Sequence, residues 1–440
     1  MKKVLVLGAG LVARPLVRYL LEQSDISLTI ASRTLSKAER LIGNHSQGSA
    51  HQLNVEDEMA LKKFVSDSHI VISLLPWIHH MKVANLCIEL NKHLVTTSYV
   101  KPEMQALDAE AKKRGLLFLN EIGVDPGIDH MAAMKIINGV KSDGGKIRSF
   151  YSYCGGLPAP AHNTNPLGYK FSWSPVGVML AARNNGRYLK DGEIVDVKPE
   201  QLFEHYWLLD VPGAGTYEAY VNRDAIPYID LYQIKDTRSM YRGTLRSIGH
   251  CESWNYFKHL GLLDQEGSYD LKTMSPRQVL ADLIKSDGKN LIKDLASYLN
   301  IPEHSITIKK MQWLGMFSGQ PLKLEQGSAF DMFAHILQDR LTYAEGEQDL
   351  LVQHHEFIAD LPGDVRKKIT STMVDLGIPG GDSSMARTVS LPAAIATRLI
   401  ASGQIDLSGV HIPVLPEIYE PVLAELETMN IKLIERETRL

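Results

Sequence analysis

Only three cysteines, Cys87, Cys154 and Cys251, occur in 440 residues. That odd, widely spaced set excludes a disulfide-stapled design and points to reduced thiols in a cytosol-like compartment. Long apolar runs are missing as well: no uninterrupted stretch approaches the roughly 18 residues a membrane helix needs. The opening "MKKVLVLGAGLVARPLVRYLL" mimics a secretory leader, but two glycines, Arg14 and Pro15 break its apolar part and no small-residue cleavage site follows. Neither sign of charge dominates. Lysine plus arginine number 47 against 51 acids, spread along the chain, which gives no footing for nucleic acid or an acidic membrane. There is no repeat and no low-complexity stretch. What remains is a soluble, cytoplasmic globular class, 44% apolar and 22% charged, long enough for two or three domains.

Through about residue 130 the pattern alternates short β-branched runs with helical periodicity, as βαβ units do. "VLVLGAG" is a strand entering a glycine turn, and Leu11 to Glu22 has helical spacing. "ISLTIASRT" and "SKAERLIG" repeat the strand and helix, a weak third strand lies in "SAHQLNV", and "HIVISLLP" is a fourth. The helix "HHMKVANLCIELN", the strand "HLVTTSYV", the helix "KPEMQALDAEAKKRG" and the strand "LLFLNEIG" follow. Such an order implies a parallel sheet covered on both faces. Beyond residue 140 aromatics thicken, loops lengthen and the alternation stops. Amphipathic helices dominate from about 265 to 345, and the tail carries two more helices and a possible strand, "IKLIERE". The expected fold class is α/β: a Rossmann dinucleotide-binding domain, a mixed α+β substrate and dimerisation domain, and a small helical insertion. The expected boundaries are 1–130, completed by about 390–440, for the first. The second takes 131–264 with about 346–389, and the helical domain takes 265–345.

Gly8-Ala9-Gly10-Leu11-Val12-Ala13 reads G-x-G-x-x-A between a strand and a helix. Gly8 permits the tight turn, Gly10 lets backbone approach a pyrophosphate, and Ala13 lets helix and strand pack closely. The free N–H groups and positive dipole end of the helix then face the phosphates. An NAD site would place an acid at the end of the second strand for the ribose 2′-hydroxyl. Here stand Ser32, Arg33 and Thr34, a guanidinium between two hydroxyls, which suits a 2′-phosphate. NADP is the expected cofactor. Further wall residues are expected at other strand ends: Asn54 and Val55 after the third, Leu75 after the fourth, Thr97 and Ser98 after the fifth, and Val124, Asp125 and Pro126 after the sixth.

"LNEIGVDPGIDHM", Leu119 to Met131, is the most charged of these strand ends. Glu121, Asp125, Asp129 and His130 would each be costly to bury unpaired. At the mouth of a ligand crevice, water or ligand can satisfy them. Asp129 and His130 read by default as braces of the helix that follows. The adjacent pairs His79-His80 and His354-His355 lack metal-ligand spacing, and neighbouring residues on a helix do not face one site; no metal is expected.

The segments "GAGLVARPL", "SRT", "TTSYV", "VDPGIDHM", "SYCGGLPAP", "NPLGYKFSWSP", "NRD" and "YRGTLR" together resemble the glutamate-forming saccharopine dehydrogenases, or saccharopine reductases, over essentially the whole chain. The resemblance implies reversible chemistry in lysine metabolism: aminoadipate semialdehyde and glutamate condense to an imine, and NADPH reduces it to saccharopine. It implies a homodimer, and the start of the chain at the fingerprint implies the free-standing form of the enzyme. It places Ser98, Tyr99, Arg223 and Thr244-Leu245-Arg246 against substrate, and Ser174 against cofactor. The chemistry agrees, since a tricarboxylate needs fixed cations and Arg223 and Arg246 suit bidentate capture. Hydride transfer needs alignment alone, but imine formation needs proton traffic. Asp125, which also addresses substrate, Tyr99 and Cys154 are the candidates for it. Two departures, Ser247 after "GTLR" and Val221 before "NRD", bear on substrate identity. Rival readings are reduction of a polyamine-derived imine, which would want acids where the arginines stand, and a non-catalytic NADP-binding sensor.

Overall fold

A computed structural model describes all of residues 1–440, and the chain divides into two compact units. The first comprises 1–147, 231–234 and 358–440; the second comprises 148–230 and 235–357.

The first unit is built on seven strands in the order Gly409–His411, Leu117–Leu119, His93–Thr96, Ile70–Ser73, Lys2–Leu7, Ile26–Ser32, Gly48–Gln52. Every neighbouring pair is parallel. Apart from the edge strand Gly48–Gln52, the strands are short, mainly apolar runs because helices cover both faces. Leu5, Leu7, Val71, Leu94, Phe118 and Val410 pack on one face with Leu61, Val65, Val83, Ala84 and Cys87 from the helices Glu58–Ser66 and His80–Leu90. The sheet order turns at Lys2–Leu7, whose neighbours are the second and fourth strands. Ligands of open α/β sheets bind beyond the strand ends at such a reversal.

The edge strand Gly409–His411 was not legible in the sequence. It is fixed by Asp108, whose Oδ1 accepts Val410 N–H at 2.9 Å. The expected single helix over 101–115 is two, Pro102–Gln105 and Asp108–Lys113. The tail helix begins earlier than its apolar run, at Ser384–Ala401, because Ser383 caps it by accepting Ala386 N–H at 3.1 Å. This helix packs on Ala13–Leu21. Helix Ile128–Ser142 also belongs to the first unit, where it packs on Pro416–Thr428 and Asn138 Nδ2 donates to the Tyr419 hydroxyl at 2.9 Å. The opening segment of the first unit thus runs to residue 147. Strand Val365–Leu376 pairs antiparallel with Ile434–Arg439.

In the second unit the strand order is Tyr206–Val211, Gly215–Val221, Ser239–Arg246, Lys146–Pro158, Asp349–Leu361, with the hairpin Gly186–Lys190 and Glu193–Val197 attached through Ser239–Arg246. Lys146–Pro158 and Ser239–Arg246 run parallel. Helices Pro276–Leu283, Leu291–Leu299, Ile306–Leu314 and Ala329–Arg340 fill the 265–345 segment, which stays within this unit instead of forming a third. His354 and His355 lie on the strand Asp349–Leu361, not on a helix, so their side chains point to opposite faces.

Candidate active site

The fingerprint folds as its spacing requires. Gly8 has φ of +108°, and a Cβ there would stand 3.1 Å from the Leu74 carbonyl oxygen, so the turns after the first and fourth strands touch only because the residue is glycine. A Cβ on Gly10 would meet nothing within 4 Å, which leaves open space where a pyrophosphate is expected. Helix Ala13–Leu21 has no side-chain cap at Val12, so no side chain competes with an anion for the N–H groups of its first turn. Ala13 is fully buried. At the end of the second strand Arg33 is exposed, with Gln52 Nε2 donating to its carbonyl at 3.1 Å. These residues fit a dinucleotide carrying a 2′-phosphate.

The charged turn resolves into satisfied groups. Glu121 takes the left-handed conformation, φ 56°, and its carboxylate accepts Val100 N–H at 2.8 Å and meets His130 Nε2 at 2.8 Å. His130 Nδ1 lies 2.6 Å from the Tyr232 hydroxyl. Asp129 Oδ1 accepts Gly127 N–H at 2.6 Å and His130 N–H at 2.8 Å, bracing the start of Ile128–Ser142. Gly127 is needed because a Cβ there would fall 2.0 Å from the Gly123 oxygen. Asp125, which precedes a cis proline, is half-buried and receives the Tyr99 hydroxyl at 3.2 Å. Asp125 and Tyr99 are thereby brought together, as an acid–base pair would be.

The sequence reading passed over His80. It is buried between two strand ends, Nδ1 at 2.9 Å from Ser73 Oγ and Nε2 at 2.7 Å from Ser98 Oγ. Burial holds its pKa down at about 4, with neighbouring His79 and Lys101 adding to the effect. The only sequence signal was a histidine opening the helix that joins two strands ending in serine and threonine.

In the second unit Thr244 and Arg246 share one sheet face. Cys154 is the parallel partner of Thr244, Tyr220 its antiparallel partner, and Glu218 stands across from Arg246. A cross-strand Glu–Arg pair would ordinarily form a salt bridge. Glu218 is occupied elsewhere: its carboxylate accepts Gly249 and Cys251 N–H, both at 2.7 Å, at the start of helix His250–His259. Arg246, 7% exposed, stacks 5.0 Å over the Tyr169 ring, donates from one terminal nitrogen to the Leu245 carbonyl at 2.8 Å, and leaves its buried Nε without a partner. Four titratable groups around it, Tyr169, Tyr220, Cys251 and His250, are held neutral. Burial pushes the Tyr220 hydroxyl up to about 12 and raises Tyr169 and Cys251, while burial and Arg246 itself hold His250 well below the usual histidine range.

Leu245, expected against substrate, is fully buried on the opposite face, so only its backbone is available. Arg223 is exposed on the loop after Gly215–Val221, with φ 61°, an uncommon conformation for a non-glycine residue. Ser174 caps Pro175–Ala181 by accepting Gly177 N–H at 3.2 Å, which leaves its own hydrogen to donate. The two departures have structural work: Ser247 donates to the Gly168 carbonyl at 2.7 Å, and Val221 is buried against Gly186, where a Cβ would fall 2.1 Å from it.

Comparison with known proteins divides the chain near residue 120. Residues 4–119 match the saccharopine dehydrogenase NADP binding domain, and residues 123–431 match the saccharopine dehydrogenase C-terminal domain. The chain belongs to the saccharopine dehydrogenase family. The saccharopine dehydrogenase (NADP(+), L-glutamate-forming) of Schizosaccharomyces pombe is 38% identical over 445 residues, 99% of each chain. Its namesake from Saccharomyces cerevisiae is 39% identical over 436 residues, 97% of each. An alpha-aminoadipic semialdehyde synthase of Arabidopsis thaliana is 35% identical over 98% of this chain, which spans 44% of that longer protein. The apo histidine-tagged saccharopine dehydrogenase (L-Glu forming) from Saccharomyces cerevisiae superposes with a TM-score of 0.90 over the full length of both chains at 36% identity. For a saccharopine dehydrogenase family member, the NADP expected from Arg33 agrees with the matched domain.

Proposed function

We propose that this protein is an NADP-dependent saccharopine dehydrogenase, L-glutamate-forming, which interconverts saccharopine with L-glutamate and L-2-aminoadipate 6-semialdehyde in lysine metabolism. Arg246 carries the reading within the family: a buried guanidinium with no acid at hand calls for an anionic ligand, since an uncompensated buried charge is costly. A carboxylate of saccharopine supplies that charge. A cationic polyamine would aggravate the imbalance, which disfavours the polyamine-imine alternative.

In the oxidative direction saccharopine, water and NADP are converted to glutamate, the semialdehyde, NADPH and a proton. NADP when bound accepts the hydride, and NADPH donates it in reverse. The C–N bond of the secondary amine becomes an imine, water adds to its carbon, and the bond breaks with the proton ending on the departing glutamate amine. Arg246 and Arg223 hold carboxylates and Ser98 a further substrate oxygen. Asp125, receiving the Tyr99 hydroxyl, takes the proton from the attacking water; Cys154, buried beside Thr244, is the weaker candidate. The cofactor is assigned to the turn at Gly8–Val12, to Ser32, Arg33 and Thr34, and to Asn54, Val55, Leu75, Thr97, Ser98, Val124, Asp125, Pro126 and Ser174.

Saccharopine-dependent formation of NADPH by the purified protein is the expected result, and no turnover with saccharopine would defeat the proposal. Asp125→Asn should lower kcat by about 100-fold or more if Asp125 moves a proton; an unchanged kcat would remove it from that role. No helix is long and apolar enough to cross a membrane. All three cysteines are buried and none is in a disulfide, which supports a cytoplasmic setting. The edge strand Tyr206–Val211, with Leu208 59% exposed, supports a homodimer, which light scattering would test.

A further inference from the structure

We propose that His80 is a positioning residue: held as the tautomer with its hydrogen on Nε2, it turns the Ser98 hydroxyl outward so that Ser98 donates to an oxygen of the substrate. The inference deepens the proposed function and rests on its placing of Ser98 against substrate.

Hydrogen-bond accounting leads to the tautomer. A neutral imidazole has one donor and one acceptor nitrogen, and deep burial keeps this ring neutral. Ser73, at the end of strand Ile70–Ser73, is fully buried, and its hydroxyl has one partner, His80 Nδ1 at 2.9 Å. If Nδ1 carried the hydrogen, the Ser73 hydrogen would have no acceptor in a place water does not reach. Ser73 therefore donates, Nδ1 accepts, and the ring hydrogen sits on Nε2. That nitrogen faces Ser98 Oγ at 2.7 Å, with Thr96 Oγ1 more distant at 3.4 Å. A lone pair of Ser98 is thus engaged by the ring, and its hydrogen is directed away from it. Ser98 is half-buried, two residues beyond the strand His93–Thr96, at the end of the sheet where Gly8 and Leu74 meet. The outward hydrogen needs an acceptor, and a carboxylate oxygen supplies one.

Two variants separate orientation from packing. Glutamine places its amide near the position of Nε2 and can still donate to Ser98; asparagine places its amide near Nδ1 and serves Ser73 alone. His80→Gln should keep KM for saccharopine within about 3-fold of the parent, and His80→Asn should raise it about 10-fold or more. KM for NADP should change less than KM for saccharopine in His80→Asn, although Ser98 is also assigned to the cofactor. In a Ser98→Ala background His80→Asn should add less than about 2-fold, as expected of a residue acting through Ser98. Equal losses in the two variants, or parallel changes in both KM values, would overturn the role. The tautomer is read without turnover from two-bond proton couplings of the 15N-labelled ring, assigned among 16 histidines by the signal missing in His80→Gln. A pyrrole-type Nε2 and a pyridine-type Nδ1 are expected. The reverse pattern in an active enzyme overturns this inference alone, whereas a wild type inert to saccharopine overturns the function and the role of Ser98 with it.

Discussion

Two of the buried charged sites in this chain are completed in opposite ways. At Glu121–His130–Tyr232 every partner is supplied by the protein: a backbone N–H, an imidazole and a phenol. At Arg246 the acid standing across the ladder is diverted to the amides of Gly249 and Cys251, and the guanidinium keeps only a carbonyl and an aromatic face. The first arrangement stabilises a turn. The second forgoes stability, because the guanidinium is buried without an acidic partner. Burial of charge thus marks function only where the internal partner is withheld.

That contrast predicts different losses. Arg246→Met should lower kcat/KM for saccharopine by roughly 30-fold to several thousand-fold, the equivalent of about 2–5 kcal/mol for a buried charge contact. It should leave the urea midpoint unchanged or higher, since an apolar replacement removes an uncompensated charge. A fall in stability would show that Arg246 has an internal partner. Glu121→Ala should do the reverse, costing about 2–5 kcal/mol in urea unfolding because Val100 N–H and His130 both lose their acceptor. Near-neutral stability would make that network ornamental.

Acid should weaken the fold through the buried histidines. His80 has a folded pKa of about 4 against roughly 6.5 unfolded. Between those values the unfolded chain binds more protons, so stability is lost as pH falls through that window, by at most about 1.4 kcal/mol per pH unit for this residue. His250 is shifted in the same direction. The slope should be shallower in His80→Gln, and an equal slope would exclude His80 as a contributor. At the cofactor turn, Arg33→Glu should weaken NADP binding by roughly 10- to 100-fold and NAD binding far less. Equal losses would contradict its assignment to the 2′-phosphate.

The parallel sheet and the phosphate turn were legible because each depends on a few adjacent residues: β-branched runs, Gly8 and Gly10, Ser32 to Thr34. The arginines were legible as chemistry. Their energetic standing was not, because it depends on where Glu218 sends its carboxylate, a choice made by the helix that starts at His250. His80 escaped for a similar reason. Its partners Ser73 and Ser98 are far apart in sequence, and nothing local marks the two hydroxyls as neighbours. Helix Ile128–Ser142 and strand Val365–Leu376 each find a partner near the end of the chain. Local periodicity carries no trace of such pairing.

The strand Gly409–His411 gives the order of synthesis a physical meaning. Until these residues leave the ribosome, Leu117–Leu119 presents its outer N–H and C=O groups as a raw edge. The nucleotide sheet is therefore among the first parts of the chain to be translated and among the last to be closed. A product cut short before Gly409 carries an open template for strand addition, which is the kind of surface that chaperones and proteases find.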